Sequence, residues 1–426
     1  MIGNFKRFDL ARRPNPQWRV LTPVTWALSF PEKWARRASL TKIGMEGVKP
    51  PFLLLCNHNA FLDFKVMTAA LFPRRANYVV AIDGFIGMEW LLRAVGCIGN
   101  RKFTNSALLV RNMIAMMERG EIVVLFPEAR YSLCGTQAVL PDSVGKLIRL
   151  LNVPVVSLLM HGHHLNRPFW DAEKRKVPRV EAEMRLLFTK EDASALPASA
   201  INARLRETFV YDEYAWQKQH GIRVTHKNRA QGLHHVLYQC PHCGAEYRME
   251  SGGDALWCGE CGARWRMSEL GELRAESGET VFSHIPDWYE WERENVRREV
   301  RDGTYSLTAD VRVDSLPNTR GFIDLGAGVL THNMDGFTLT GTCGGARYEE
   351  RWPTRALYSC HIEYNYKKKG PCVDLNTQVD TLYIFPRGRD FSVTKIALAT
   401  EELYLAAGSR RAKLLDNAAD LIYNIS

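Results

Sequence analysis

Between about residue 40 and residue 215, short apolar runs alternate with stretches of helical spacing, and this alternation constrains the fold most. Residues 52–56, 77–82, 122–126 and 153–159 read as buried strands, while 60–71 and 106–118 carry apolar residues at helical period. Gly120 stands where the second helix should be capped. Strand and helix in turn at this spacing predict an α/β domain, a mostly parallel sheet flanked by helices. The 426-residue length leaves room beyond that domain, about three folding units in all.

The remaining units differ in pattern. Residues 1–39 mix Arg12, Arg13, Arg19, Lys33, Arg36 and Arg37 with Trp18, Trp26, Phe30 and Trp34, and Pro23 and Pro31 are expected to break the segment into short helices. It suits either a layer packed on the next domain or an amphipathic anchor at a lipid headgroup zone. The α/β unit is expected over 40–215 and a small cysteine module over 216–275. Over 276–426 a β-rich C-terminal domain is expected, with short strands at 305–313, 322–325, 337–342, 358–366 and 381–386 and helices at 393–405 and 411–423. Strands closing with a helix resemble pleckstrin-homology-like folds in pattern only, which says little about function. Lys367, Lys368 and Lys369 sit in a basic loop of that domain, suited to solvent or to anionic headgroups.

The cysteine module is the second strong signal. Cys240-Pro-His-Cys243-Gly and Cys258-Gly-Glu-Cys261-Gly are two CxxC knuckles separated by fourteen residues. Four thiolates from two turns suit tetrahedral zinc, and a four-thiolate shell leaves no open position, so the expected Zn²⁺ is structural. A disulfide pair or an iron–sulfur site are the alternatives. His235 and His242 are expected to be bystanders. Arg248, Arg264, Trp265 and Arg266 give the ribbon a basic, aromatic face, but the expectation is against nucleic acid, since Trp and Tyr also fill very small cores. The other six of the ten cysteines are scattered, which suits a reducing compartment.

Composition sets outer limits. Hydrophobic residues make up 46% and charged residues 24%, values of a globular chain. The net charge of +9 suits an anionic lipid surface, a phosphorylated substrate or nucleic acid. No apolar run approaches the roughly 20 residues that a spanning helix needs. The N-terminus lacks a positive cap followed directly by an apolar run, so no signal peptide is expected. The expected location is cytoplasmic, with peripheral attachment to the inner face of the membrane.

The chemistry is concentrated in Leu53-Leu-Leu-Cys56-Asn57-His58-Asn-Ala-Phe-Leu-Asp63, where a buried strand delivers a histidine to its C-terminal end and an aspartate follows on a helix. Ligands bind at such strand ends in parallel sheets. A neutral imidazole there can take a proton from an attacking hydroxyl, with a carboxylate fixing its tautomer. Taken alone, this spacing reads more readily as a loop histidine with a satisfied hydrogen bond.

Three further blocks follow in order: Gly96-Cys-Ile98-Gly-Asn-Arg101, Leu125-Phe126-Pro-Glu128-Ala129-Arg130-Tyr-Ser132, and Val153-Pro154-Val-Val156. Together with the His–Asp block they resemble the four blocks of the glycerolipid acyltransferases, the family that includes 1-acylglycerol-3-phosphate acyltransferases. The resemblance covers about residues 40–215. It implies His58 as general base, Asp63 as its orienter, Glu128 positioning the glycerol moiety, and Arg101 and Arg130 holding an acceptor phosphate, with Asn57 among the substrate-binding residues. A guanidinium offers paired donors matched to phosphate oxygens. The implied donor is acyl-CoA or acyl carrier protein, and the implied acceptor a lysophospholipid, first among them 1-acylglycerol 3-phosphate.

Two departures leave the headgroup open: a compact second block, with only Gly99 and Asn100 between Ile98 and Arg101, and a shortened third block. The common third block is Phe-Pro-Glu-Gly-Thr-Arg-Ser, whereas here Ala129 replaces the glycine and Arg130 follows Glu128 by two. That shorter form resembles domains acting on 2-acylglycerophosphoethanolamine. The alternatives are another lysophospholipid or alcohol acceptor, or a non-catalytic scaffold that binds a partner through its ribbon and C-terminal domain.

Overall fold

The computed structural model describes residues 5–104 and 106–423, with side chains through residue 408. Its first sheet comprises β1 (Ser39–Ile43), β2 (Leu53–Cys56), β3 (Ala76–Ala81), β4 (Ile98–Asn100), β5 (Ile122–Leu125), β6 (Val155–His161) and β7 (Glu181–Phe188). Their order is β1-β7-β6-β2-β5-β3-β4. Strands β6, β2, β5, β3 and β4 run parallel, whereas β7 runs antiparallel to β6 and carries β1 beside it.

Strand β2 lies at the centre, and all four of its side chains are buried. Alternation sends Leu54 and Cys56 into one core with Val66 and Met67 of helix Leu62–Leu71, and Leu53 and Leu55 into another with Met113 and Ile148. Cover on both faces is why the run is uniformly apolar. Each buried leucine contributes about 2 kcal/mol. Helix Ala107–Glu118 starts where Ser106 Oγ accepts the Leu109 amide, and the chain turns at Gly120 with φ +76°.

The N-terminal segment departs from expectation. Thr22–Ala35 is one helix, with Pro23 in its first turn and Pro31 inside it. Pro23 sits where a missing N–H costs nothing. Pro31 forfeits one helical hydrogen bond, while Trp26 and Phe30 hold the helix to Phe72 at ring distances of 4.7 and 5.3 Å.

A four-stranded antiparallel ribbon follows: β8 (Met249–Gly252), β9 (Ala255–Cys258), β10 (Arg264–Met267) and β11 (Leu273–Ala275). Trp265 fills its core against Trp288 of helix Ile285–Asp302, the rings 5.0 Å apart. A second seven-stranded sheet contains β12 (Leu307–Ser315), β13 (Ile323–Asn333), β14 (Gly336–Cys343), β15 (Ala346–Pro353), β16 (His361–Glu363), β17 (Cys372–Asn376) and β18 (Thr381–Pro386), in the order β15-β14-β13-β12-β18-β17-β16. Helix Val393–Tyr423 closes it as one element rather than two. Strand β13 runs far beyond the expected 322–325. Its glycines obscure the pattern, yet at Gly328 an added Cβ would lie 2.5 Å from the Thr340 carbonyl oxygen, so glycine permits close strand approach there.

The N-terminal segment also bridges the first sheet to the second. The Phe8 amide donates to the Pro317 carbonyl at 2.8 Å, and Asn318 Nδ2 to the Lys6 carbonyl at 2.6 Å. Among the described residues no helix is long and apolar enough to cross a membrane.

Candidate active site

Strand β2 ends at Cys56, and Asn57 pins the following loop. Its Nδ2 donates to the Met160 carbonyl and its Oδ1 accepts the Met160 amide, both at 2.9 Å. Asn57 is fully buried, so its amide serves the join between β2 and β6 and does not face an acceptor.

His58 follows. Its Nδ1 lies 2.8 Å from Asp63 Oδ2 in the first turn of helix Leu62–Leu71. The same oxygen accepts the amides of Asn59 at 2.7 Å and Ala60 at 3.1 Å, as a helix-entry carboxylate can. Asp63 Oδ1 meets Nδ1 of His163, at 2.6 Å. Burial alone would push Asp63 up, but the hydrogen bonds from His163 and His58 outweigh it and hold the carboxyl at about 2. The carboxylate is therefore ionised and fully committed.

The His58 ring stacks on Phe126 at 4.0 Å and leans on Tyr131 at 4.1 Å, and its side chain keeps 13% of its surface. With Nδ1 on Asp63, Nε2 is the ring nitrogen left to exchange a proton. His163 is fully buried, and its Nε2 has no partner among the described residues. Sequence reasoning missed His163. The signal was His161-Gly162-His163-His164 at the C-terminal end of a strand already read as buried.

Glu128, in the loop after β5, is buried and accepts the Ala138 amide at 2.8 Å and the Tyr211 hydroxyl at 3.3 Å. Burial pushes its carboxyl up to about 8. It lies in the field of Asp63, and the next residue, Ala129, adopts φ +56° where the common block has glycine.

The two arginines go elsewhere. Arg101 Nη1 donates to Thr381 Oγ1 at 2.6 Å, and its Nη2 to the carbonyls of Val379 at 2.9 Å and Pro317 at 3.2 Å. Arg130 Nη2 pairs with Glu401 Oε1 at 2.7 Å, and Glu401 also takes Arg293 Nη1 at 2.8 Å and Ser359 Oγ at 2.7 Å. Both guanidiniums are buried among residues of the C-terminal sheet and closing helix. The structure thus groups His58, Asp63 and His163, with Glu128 close by, and spends Arg101 and Arg130 on docking the C-terminal domain.

The four ribbon cysteines converge: their Sγ atoms all lie within 4.8 Å of one another. The Cys240–Cys261 and Cys243–Cys258 Sγ pairs are each 3.8 Å apart. Tetrahedral thiolates bound at about 2.3 Å stand roughly 3.8 Å from each other, so the set fits zinc.

Residues 36–161 match the protein-family model described as Acyltransferase. Among curated proteins no match is found. Among solved structures the chain is similar to the 1-acyl-sn-glycerophosphate (LPA) acyltransferase PlsC from Thermotoga maritima, at 14% identity and a TM-score of 0.37, over 44% of this chain and 76% of that one. The region matched by the family model holds the His58–Asp63 loop, both arginine blocks and most of the parallel sheet. Over residues 36–161, this chain is matched by the acyltransferase family model.

Proposed function

We propose that the chain transfers a fatty acyl group from a thioester to a hydroxyl of a lysophospholipid, with His58 as general base. The observation that carries this reading is the 2.8 Å contact between His58 Nδ1 and an Asp63 carboxylate held ionised. Asp63 fixes the tautomer with its proton on Nδ1, which leaves Nε2 to accept the acceptor hydroxyl's proton. The alkoxide oxygen attacks the thioester carbonyl, the tetrahedral intermediate expels the thiolate, and the imidazolium gives its proton to that thiolate, releasing the free thiol. The ester formed and the thioester broken balance without a covalent enzyme intermediate. The donor is acyl-CoA or acyl carrier protein.

The resemblance names 1-acylglycerol 3-phosphate first. The engagement of Arg101 and Arg130 by Thr381, Val379 and Glu401 favours the second reading, a lysophospholipid with a larger headgroup. The four-cysteine set holds structural Zn²⁺ in this reading, and residues 216–275 and 276–426 form two further domains.

We also infer peripheral membrane attachment at the inner face. Trp18, Val24, Leu28, Trp34 and Phe72 are exposed on and beside helix Thr22–Ala35, flanked by Arg19 and Arg37. Phe61, 62% exposed, stands in the His58–Asp63 loop itself, so a bilayer gripped there meets the base.

The test is thiol release from acyl-CoA with a panel of lysophospholipid acceptors. Acceptor-dependent release is expected, and it should fall on the order of 10³-fold in His58→Ala. Well-folded protein with no acceptor-dependent release rules the enzyme reading out.

A further inference from the structure

Beside His58 the acyltransferase domain and the C-terminal sheet meet in a seam of charged groups. A short ladder of rings leads into it: His58 to Tyr131 at 4.1 Å, Tyr131 to Phe169 at 5.5 Å, and Phe169 to His361 of β16 at 6.0 Å. Asp83 and Lys102 come from one side, and His361, Glu363 and Asp374 from the other. Lys102 Nζ stands 3.7 Å from Asp374 Oδ2, and His361 Nε2 lies 3.2 Å from Glu363 Oε1.

Two buried polar atoms here have no hydrogen-bond partner among the described residues: Asp374 Oδ1 and His361 Nδ1. Asp374 and His361 are 2% and 3% exposed, so leaving them unpaired is costly unless something binds. Lys102 and Glu363 keep 18% and 23% of their side-chain surface, yet burial is the largest influence on both. Lys102 and Glu363 thus stay reachable from solvent beside the buried Asp374 and His361. Burial raises Glu363 to about 7, and Lys102 stays protonated because the fields of Asp83, Asp374 and Glu363 outweigh its own burial. At the rim, the exposed Arg167 side chain makes no hydrogen bond or ion pair among the described residues, and it lies in the field of Tyr131 and Glu363.

We infer that this seam is the acceptor headgroup subsite and that it takes a zwitterionic headgroup, a phosphodiester bearing an ammonium. Lys102 and Arg167 supply the cations for the phosphodiester. Asp83 and Asp374 supply carboxylates for the ammonium, Glu363 ionises against it, and together they would repel the second charge of a phosphomonoester. The inference rests on the acyltransferase reading of His58, and it assigns the C-terminal sheet a direct part in recognising the acceptor.

The test is calorimetric titration of the full-length protein with monomeric 1-hexanoylglycerophosphoethanolamine and 1-hexanoylglycerol 3-phosphate. Tighter binding of the ethanolamine ligand, by about tenfold, is expected. Glu363→Gln should remove that preference. Arg167→Ala, at an exposed position where folding is not at stake, should weaken the ethanolamine ligand by about the same factor. Equal affinity, preference for the phosphomonoester, or indifference to Arg167→Ala overturns the subsite. Binding with this pattern but without acyl transfer leaves the subsite standing and removes the enzyme reading instead.

Discussion

Asp63 divides its carboxylate between two histidines, His58 on Oδ2 at 2.8 Å and His163 on Oδ1 at 2.6 Å. The second contact comes from the end of β6, a hundred residues away in sequence. It holds the second oxygen of the carboxylate that His58 uses, so the orientation of the His58 ring depends on His163.

His163→Ala is therefore expected to lower kcat by roughly a hundredfold with KM little changed, as misplacement of a base does. His163→Asn, which keeps an N–H near the position of Nδ1, should restore much of the loss. The pH profile separates orientation from simple destabilisation. Asp63 is held at about 2 by these hydrogen bonds, so its contribution is present above the ordinary carboxyl value and lost as pH falls towards 2. Removing one donor raises that carboxyl, so the loss of stability at low pH should begin at a higher pH.

The Arg130–Glu401 pair should behave as a structural joint. Removing one partner of a buried ion pair typically costs about 3–5 kcal/mol, and Arg130→Ala and Glu401→Ala are each expected in that range by denaturant unfolding. The double variant should fall short of the sum. Glu401 is held at about 2, where burial would raise it but Arg130 and Arg293 lower it more. Its contribution to stability is thus complete above the ordinary glutamate value near 4.3 and drains away as pH falls towards 2.

Elemental analysis should find one zinc per chain. Stripping it with a chelator, or replacing Cys240 by Ser, is expected to loosen β8–β11 and expose Trp265, seen as a red-shifted tryptophan emission and a lower Tm. An unaltered spectrum in metal-free protein would refute the structural role.

Replacing Leu28 and Trp34 together by Glu should weaken binding to anionic liposomes by about tenfold or more without lowering Tm, because both side chains are exposed. Unchanged sedimentation with liposomes would count against attachment through this helix.

The parallel sheet was legible because β2 and β5 are short and continuously apolar and β6 is apolar but for Ser157 and His161, the pattern that burial on both faces imposes. The cysteine spacing was equally readable, since ligand geometry is local. Strand β7 was not, because it alternates along an antiparallel flank and carries Glu181, Glu183 and Arg185. Strand β15 is an exposed edge rich in charge, so no buried face marks it. Pro31 argued for a break that packing on Phe72 overrode.

By itself, the sequence determined the order of elements, the strand end that presents His58, the Asp63 turn beside it and the convergence of four cysteines, because each follows from spacing within one short segment. Only the tertiary structure decided which of these side chains gather around His58 and which pack against the C-terminal sheet and its closing helix. His163 reaches Asp63 across a hundred residues, while Arg101 and Arg130 turn to Thr381 and Glu401, some 280 and 271 residues on. A guanidinium takes whichever oxygens the fold brings to it, and here the C-terminal domain brought them.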